Sequence, residues 1–432
     1  MLKRLPLLVI ALLVVIAAGN FIVRDFLASS LVAFGEDGAS RDLALRYSPA
    51  DPSVVAARAK YLIYRAEPPR PEEGISGLQR ATQLSPRDYR FWLELGRAYE
   101  NTGNLPAAEK ALARSVELAP AYFETRWTLA NFYLRTGRND LASSDLREAI
   151  ILSGRDGRPD ERATLNTFNA ISGATGNDFD FLKKVAPDDE VSQAYLAGFL
   201  SNHDGLDQAF QIWRRLTGSH RESFRSLTLQ LISESQLKGR FQDGYQAWEK
   251  LAIIEGLNSR DPENLVFNPG FEQKPLSETY TELAASQSGF DWIIRSHPEV
   301  RARRTDLEKH SGSFSLGLNF AAAMSQELQE ISIIVPVDHS GRHELTWFVK
   351  TKNIPLLEDE APFIEISDPL RPSEFSQRTR IPAGTNEWSE QKLSIDTPID
   401  TRGLKITIRS PRMRTVDRSR VPEVWFDDFK MR

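Results

Sequence analysis

Few residues of this chain have the types and spacing that enzyme chemistry requires. The 432 residues include no cysteine, which excludes thiol catalysis, disulfides, iron–sulfur clusters and thiolate zinc sites. The six histidines show no H-E-x-x-H or other helical metal-ligand spacing. The sequence also has no nucleophile elbow, phosphate-binding loop or dinucleotide fingerprint. We therefore expect a non-catalytic protein.

Asp427 and Asp428 form an acidic pair near the end of the chain. Adjacent side chains on a strand point to opposite faces, so we predict that these two do not act together as an acid/base pair. A glycosidase needs two carboxylates about 5–10 Å apart across a cleft, and the sequence identifies no such pair. A polysaccharide-processing enzyme remains the alternative hypothesis, with Glu272 and Glu365 as the carboxylates to test.

The composition is that of a globular protein, with 41% hydrophobic and 26% charged residues. Its length is sufficient for two or three domains. A net charge of −5 argues against nucleic-acid binding, which normally needs a basic surface. We therefore expect no nucleic-acid partner.

One almost unbroken apolar run extends from Leu5 to Val23, between Lys3-Arg4 and Arg24-Asp25. About 19 helical residues span the hydrocarbon core of a bilayer. We therefore assign residues 1–25 to a membrane anchor or a signal, since Ala17-Ala18-Gly19 also offers a cleavage site. The leading cations favour a cytoplasmic N-terminus. We expect a single-pass protein of a bacterial inner membrane with the bulk of the chain periplasmic or extracellular.

Three prolines, Pro49, Pro86 and Pro120, follow helical segments at spacings of 37 and 34 residues. A 34-residue period is typical of helix–turn–helix repeats, which stack because one repeat cannot bury its own apolar face. The clearest copy, residues 89–122, has its large and small packing residues at Trp92, Leu95, Gly96, Tyr99, Ala108, Leu112, Ser115 and Pro120. It resembles the tetratricopeptide repeat family. We predict an all-α solenoid over residues 40–257.

The first helix of each repeat in this family usually lines a concave face that binds a protein partner. By the resemblance, the predicted protein-binding residues are Arg90, Leu93, Arg97, Glu124, Trp127 and Asn131. Trp127 has an alternative role, since it can instead pack beneath the next repeat. The arginines can equally form an ordinary solvated face.

After residue 262 the apolar pattern changes to alternation, which predicts short strands. Residues 342–351 are clearest, because His343, Leu345, Trp347 and Val349 fall on one face. The other predicted strands are 264–268, 301–305, 314–318, 331–337, 362–367, 388–395, 404–409 and 424–430. Short strands at this spacing indicate an antiparallel, all-β sandwich over residues 263–432. The fold class is therefore multidomain, with an apolar helix, a helical solenoid and a sandwich.

Four motifs occur in order in this second half: Asn268-Pro269-Gly270-Phe271-Glu272, Trp292, the turn from His310 to Leu316, and Trp425-Phe426-Asp427-Asp428. Together they resemble the jelly-roll carbohydrate-binding modules of xylanases. The resemblance implies one structural calcium ion held by Glu272, by Asp427 or Asp428, and by carbonyls of the turn at residues 309–313. Carboxylate and carbonyl oxygens are the ligands that calcium prefers. Hydrogen bonds or salt bridges at a sheet corner are the alternative role of these residues.

The same resemblance implies a carbohydrate ligand, because sugars stack on exposed aromatic faces beside polar groups. The candidate residues are Phe348, Lys350, Phe363, Glu365 and Trp388, with Trp292 and Arg380 as further candidates. Each aromatic ring can instead belong to the core. A fold of this kind does not by itself identify its ligand.

These features lead to one main functional hypothesis. We expect a membrane-anchored, non-catalytic scaffold or adaptor whose repeats bind a protein and whose sandwich binds a polysaccharide, in surface-polysaccharide assembly or export. Besides the enzyme, the other alternative is a protein-assembly factor whose sandwich is purely structural.

Overall fold

The computed structural model describes residues 5–275, 289–295, 297–321, 323–338, 341–357, 359–413 and 420–432, with backbone only for residues 5–12, 329 and 330. The predicted cationic flank Lys3-Arg4 lies outside these residues. The chain divides into two compact units, Met1–Ser192 and Gln193–Arg432. The sequence pattern, by contrast, changes near residue 262.

The described residues form fourteen helices before the first strand. They are α1 (Leu5–Phe34), α2 (Gly38–Tyr47), α3 (Pro52–Tyr64), α4 (Pro71–Leu84), α5 (Tyr89–Asn101), α6 (Leu105–Leu118), α7 (Phe123–Arg135), α8 (Asn139–Ser153), α9 (Glu161–Thr175), α10 (Phe179–Val185), α11 (Glu190–Asn202), α12 (Leu206–Trp213), α13 (Arg221–Leu237) and α14 (Phe241–Ile254). The predicted all-α first half is confirmed.

Helix α1 contains residues Leu13–Phe34, which are long and apolar enough to cross a membrane, with a mean hydropathy of 1.5. A signal sequence near an N-terminus has the same character. The helix continues beyond residue 25 without a break, and Ala28 packs with Ala44 of α2 and Val54 of α3. The last part of α1 is therefore a structural element of the first repeat.

The helices α3 and α5 begin at aspartate caps one period apart, whereas α7 begins at Tyr122 without a side-chain cap. Asp51 and Asp88 each lie two residues after a period proline, and at the start of the next helix Asp51 accepts two backbone N–H groups and Asp88 accepts one. Such caps satisfy amide groups that have no partner within the helix. The prolines therefore mark the connecting turns between repeats.

Small residues allow the two helices of a repeat to approach closely. A Cβ at Gly96 of α5 would come within 2.6 Å of the Leu112 side chain of α6. Leu112 and Ala108 are fully buried at this contact. The packing positions predicted for residues 89–122 are thus occupied as expected.

The second unit contains a sandwich of two five-stranded antiparallel sheets, in the orders β1-β4-β9-β6-β7 and β2-β3-β10-β5-β8. The described strands are β1 (Ile293–Ile294), β2 (Val300–Thr305), β3 (Ser315–Phe320), β4 (Leu328–Pro336), β5 (Arg342–Ile354), β6 (Phe363–Ser367), β7 (Ser376–Arg380), β8 (Gly384–Asp396), β9 (Gly403–Ser410) and β10 (Glu423–Met431). The predicted alternation on β5 is confirmed, since His343, Leu345, Trp347 and Val349 are all buried. Strands β1 and β7 were not predicted.

The predicted strand at residues 264–268 is wrong. The Asn264 side chain makes hydrogen bonds to β10 at a position where a strand would use its backbone. Asn264 Nδ2 donates to the carbonyl of Phe429, and its Oδ1 accepts the N–H of Met431 at 3.0 Å. Asn268 then adopts a left-handed backbone with φ of 50°. The segment runs beside β10 without forming a regular strand.

Helix α14 packs against the sandwich rather than standing apart from it. The Trp248 and Phe267 rings meet edge to face with centroids 6.3 Å apart, and Tyr245 meets Phe290 in the same way at 5.5 Å. Trp248 and Phe267 are almost completely buried. The last helices and the sandwich therefore share one core, within the second unit.

Candidate functional site

The first helices of successive repeats line a groove of about 520 Å³ in the first unit. The side chains from α3 and α5 fall four, seven and eight residues after each proline: Ser53, Ala56 and Ala57 after Pro49, and Arg90, Leu93 and Glu94 after Pro86. Helical residues at such spacings share one face. The groove is therefore a direct consequence of the repeat register.

Four charged side chains connect three repeats, and three of the four, Lys60, Glu94 and Glu124, line this groove. Lys60 of α3 bonds Glu94 of α5 at 3.1 Å, and Glu94 lies 3.5 Å from Arg97. Arg97 donates to Glu124 of α7 at 3.1 Å. These alternating charges form a row, here called the charge ladder (Lys60, Glu94, Arg97 and Glu124).

The structure brings some of the predicted protein-binding residues together and separates others. Arg90, Leu93 and Glu124 line the groove, although Leu93 is buried beneath it and Arg90 pairs with Asp88. Arg97, Trp127 and Asn131 do not line the groove, although Arg97 belongs to the charge ladder. Trp127 is half-buried and stacks on Phe123. Asn131 Nδ2 donates to the carbonyl of Trp127 in its own helix.

The contribution of α3 to the groove was not predicted from the sequence. Tyr61, Tyr64 and Lys60 line it from this helix. Burial, with Glu94 nearby, raises the pKa of the Tyr64 hydroxyl. The sequence does contain a signal for this contribution, because Lys60 lies as many residues after Pro49 as Arg97 lies after Pro86.

In the second unit, three predicted carbohydrate-binding residues meet on one sheet. Phe348 and Lys350 extend from β5, and Trp388 extends from the neighbouring strand β8. His310 covers Phe348 with ring centroids 3.5 Å apart, and it lies 5.9 Å from the Trp388 ring. His310 therefore occupies one face of Phe348, and the three rings form one aromatic cluster (His310, Phe348 and Trp388).

Lys350 is the cation beside this cluster. Its Nζ lies 2.9 Å from Glu387 and 3.1 Å from Glu308. The hydrogen bonds to Glu387 and Glu308 raise the pKa of Lys350. The cluster therefore has charged hydrogen-bonding groups at its border.

Phe363 and Glu365 lie on the other sheet, on β6, so the predicted carbohydrate-binding set does not form a single site. Glu365 is only 8% exposed and bonds Arg378 at 2.8 Å and also Arg409. Burial opposes ionisation, but the bonds from Arg409 and Arg378 hold the pKa of Glu365 below its usual value. Since a general acid needs a raised pKa, Glu365 is poorly suited to that role.

Two further candidates are also placed by the structure. Trp292 is completely buried, and its Nε1 donates to the carbonyl of Asn268, so the proposed role as a sugar platform is wrong. Arg380 pairs opposite Phe363 in the β6–β7 ladder.

Asp427 is a fully buried carboxylate on β10. Its Oδ2 accepts the backbone N–H groups of His310 and Ser311 at 2.8 and 3.2 Å, and its Oδ1 accepts the N–H of Asp428. Burial raises the pKa of Asp427 to about 6, against the lowering effect of these hydrogen bonds. Asp427 thus fixes the turn that carries His310.

Asp428 contacts the same turn, so the prediction that the two carboxylates point to opposite faces is wrong. Asp428 Oδ2 lies 2.7 Å from His310 Nδ1, and Oδ1 accepts the Ser311 hydroxyl at 2.8 Å. The cause is a bulge after Asp427, where Asp428 has a left-handed φ of 49°. Both carboxylates therefore help to position the His310 ring over Phe348.

Glu272 completes an acidic group around this turn. Its Oε1 accepts the backbone N–H groups of Ser313 and Phe314 at 2.9 and 3.1 Å. An all-carboxylate donor set suits calcium, but the turn presents N–H groups to Glu272 and Asp427 instead of the expected carbonyls. Within the described part of the chain, no three or more His, Asp or Glu side chains are arranged to hold a metal ion. A calcium ion here would require the turn to rearrange.

A family model of the tetratricopeptide repeat matches residues 89–122. These residues are the helix pair α5–α6, so this pair is a tetratricopeptide repeat as predicted. No curated protein matches the chain.

The chain is similar to several solved structures over part of its length. The pilF protein of Pseudomonas aeruginosa is 14% identical with a TM-score of 0.32, covering 48% of this chain and 97% of that one. The CBM22-1 xylan-binding domain from Paenibacillus barcinonensis is 13% identical with a TM-score of 0.24, covering 38% of this chain and 90% of that one. The enzymatically active domain of tailspike protein 4 from Bacteriophage CBA120 is 12% identical with a TM-score of 0.29, covering 41% of this chain and only 22% of that one.

Proposed function

We propose that this chain is a membrane-anchored, non-catalytic scaffold of the bacterial cell envelope. In this role the groove binds an extended segment of a protein partner, and the aromatic cluster binds a polysaccharide during surface-polysaccharide assembly or export. The single observation that carries the proposal is the charge ladder, since it crosses three repeats and lies where the repeat register creates a groove.

The groove is tested by site-specific crosslinking in cells, which the absence of cysteine makes straightforward. A photo-crosslinker attached through Ala57→Cys, inside the groove, should capture a discrete partner protein. The same reagent at Lys110→Cys, which is exposed on α6, should not capture it. Adding Arg97→Ala should reduce capture by interrupting the charge ladder. An identical crosslinking pattern from both positions would contradict a specific groove.

The carbohydrate role is tested with the detergent-solubilised full chain on affinity gels containing acidic and neutral polysaccharides. Trp388→Ala should remove retention on the gel that binds the wild type. Phe363→Ala is the matched control, because it removes an aromatic ring from the other sheet. If no polysaccharide retains the wild type, the sandwich has a structural role and the protein is an assembly factor.

The anchor is tested by intact mass measurement of protein purified from membranes. The continuation of α1 through Ala17-Ala18-Gly19 and into the first repeat supports a retained helix. We expect the mass of the uncleaved chain, resistant to extraction by alkaline carbonate. A mass lacking the first residues up to Gly19 would show a cleaved signal.

The calcium ion expected from the resemblance is part of the proposal. Added calcium should raise the unfolding midpoint of the full chain, and Glu272→Gln should remove that increase. Glu272, Asp427 and Asp428 supply carboxylate oxygens around this turn, but calcium binding requires the N–H groups that now bond Asp427 and Glu272 to be displaced. An unfolding midpoint that calcium and chelator leave unchanged would show that the carboxylates serve the turn alone.

A further inference from the structure

The turns that precede the first helices of the repeats lie along one edge of the first unit. Arg80, near the end of α4, donates to the carbonyl of Pro49 in the preceding turn at 3.1 Å. Tyr89 and Tyr122, at the next two turns, have ring centroids 5.1 Å apart. We call this row the proline edge, and it comprises residues 46–52, 84–90 and 119–122.

Helix α1 meets the proline edge where its apolar run ends. Arg24, directly after that run, donates to the carbonyls of Tyr47 and Arg46 at 3.2 and 3.1 Å. The Ser48 hydroxyl donates to Asp25 at 3.2 Å. If the run from Leu5 to Val23 spans the hydrocarbon core, the first turn of the proline edge lies at the height of the lipid headgroups.

The junction between α1 and this turn is an open cleft of about 910 Å³. Its walls are apolar side chains of α1 on one side, including Leu13, Ile16 and Phe21, and Pro49 and Ala50 on the other. Leu13 and Phe21 are 60% and 70% exposed. Exposed apolar side chains of this kind are favourable in contact with lipid and unfavourable in contact with water.

The rest of the proline edge has the composition of a membrane interface. Leu84 and Tyr122 are 41% and 56% exposed, and Pro49, Pro86 and Pro120 are also exposed. Three exposed cations accompany them: Arg46, Arg87 and Arg90. The acidic residues of these turns, Asp51 and Asp88, cap helix N-termini. Tyrosine with arginine is typical of the region where headgroups meet hydrocarbon.

We propose that the proline edge lies flat on the membrane surface, with the bilayer as its partner and anionic phospholipid headgroups bound by Arg46 and Arg87. The repeats would then extend along the membrane instead of away from it. The inference rests on the proposed anchoring by α1, and it adds a second, peripheral contact between the first unit and lipid.

The experiment uses the full chain in nanodiscs of phosphatidylcholine and phosphatidylglycerol that contain a headgroup-labelled quencher lipid. A fluorophore is attached at one engineered cysteine at a time. Ala50→Cys and Ala121→Cys report the first and third turns of the edge, and both positions are exposed. Asn101→Cys is the control, since α5 carries the chain about 18 Å from Tyr89 to its far end. Val15→Cys reports the anchor.

We expect severalfold stronger quenching at Ala50 and Ala121 than at Asn101. Arg87→Glu should reduce the quenching at Ala121, whereas Lys110→Glu, the same charge change outside the edge, should not. Equal quenching at Ala121 and Asn101 would overturn the proposal, even if Ala50 were quenched. Failure of the anchor is distinguishable in parallel nanodiscs whose quencher is attached to the lipid acyl chain, because a label at Val15 would then escape quenching.

Discussion

Glu272 lies so close to Gly312 that a Cβ at position 312 would overlap its Oε1 atom. Gly312 also has a left-handed φ of 57°. The turn that bears His310 therefore depends on a glycine for two separate reasons: backbone freedom and space for a carboxylate that binds the next two amide groups.

Gly312→Ala is expected to destabilise the second unit by about 2–4 kcal/mol, through backbone strain and displacement of Glu272. Gly384→Ala is the matched control, because Gly384 has a φ of 82° but no heavy atom near its absent Cβ. We expect the control to cost only about 1 kcal/mol, from strain alone. Urea unfolding of both variants measures the difference, and equal losses would show that Glu272 moves aside at no cost.

Gly96→Ala should destabilise the first unit despite the better helix propensity of alanine. The added methyl group would meet Leu112 within 2.6 Å in a fully packed repeat. Gly173→Ala in α9 meets nothing within 4 Å and should stabilise by about 1 kcal/mol. Thermal unfolding of the two variants should therefore shift in opposite directions. A stabilising Gly96→Ala would contradict the close helix approach.

Glu365→Gln should destabilise the sandwich by about 1–3 kcal/mol at pH 7, because Arg378 and Arg409 would lose their shared carboxylate. The pKa of Glu365 is lowered in the folded state, so its contribution is present above its unfolded pKa and disappears as the pH falls through the folded value. The two proteins should therefore converge in stability at acidic pH.

Denaturant titrations at several pH values measure this convergence. Glu374→Gln, on an exposed side chain, should show little difference from wild type at any pH. Polysaccharide retention by Glu365→Gln should remain, since Glu365 lies on the sheet opposite the aromatic cluster. A constant difference at all pH values would indicate that the carboxylate charge contributes nothing.

A fragment of residues 260–432 should be much less stable than one of residues 193–432. The shorter fragment lacks Trp248 and Tyr245, which bury Phe267 and Phe290, and Phe241, which packs on Gly403. Each lost aromatic contact exposes apolar surface, at a cost of about 2 kcal/mol or more. Chemical unfolding and binding of a hydrophobic dye compare the two fragments. Equal stability would show that the sandwich core is complete without α14.

The sequence predicts those features that depend on local periodicity. The spacing of Pro49, Pro86 and Pro120 locates the connecting turns, and alternation at residues 342–351 identifies the buried face of β5. In both cases the residue types repeat because each element buries one face. The groove follows from the same register, and Lys60 was missed only because the register was not extended to α3.

Other features depend on contacts between distant segments, which periodicity does not reveal. The bulge that turns Asp428 onto His310 reverses the side-chain direction expected on a strand. Glu365 meets two arginines from β7 and β9, which lie on either side of β6. In the sequence, the apolar face of α14 resembles a face that packs against a neighbouring repeat. In the structure it contacts the sandwich, and the apolar pattern alone does not distinguish these two partners.

Because α1 is uninterrupted, the number of residues between its apolar run and the first repeat fixes the rotation of the repeat about the helix axis as well as its distance from the run. In a flexible connection, one inserted residue changes reach slightly; in a continuous helix, it rotates everything beyond it by about 100° and lifts it by about 1.5 Å. A residue added just before Arg24 would therefore swing the repeats around the helix axis. Under the proposed anchoring of α1, the number of residues in this stem would decide which side of the repeat array faces a neighbouring protein in the same membrane.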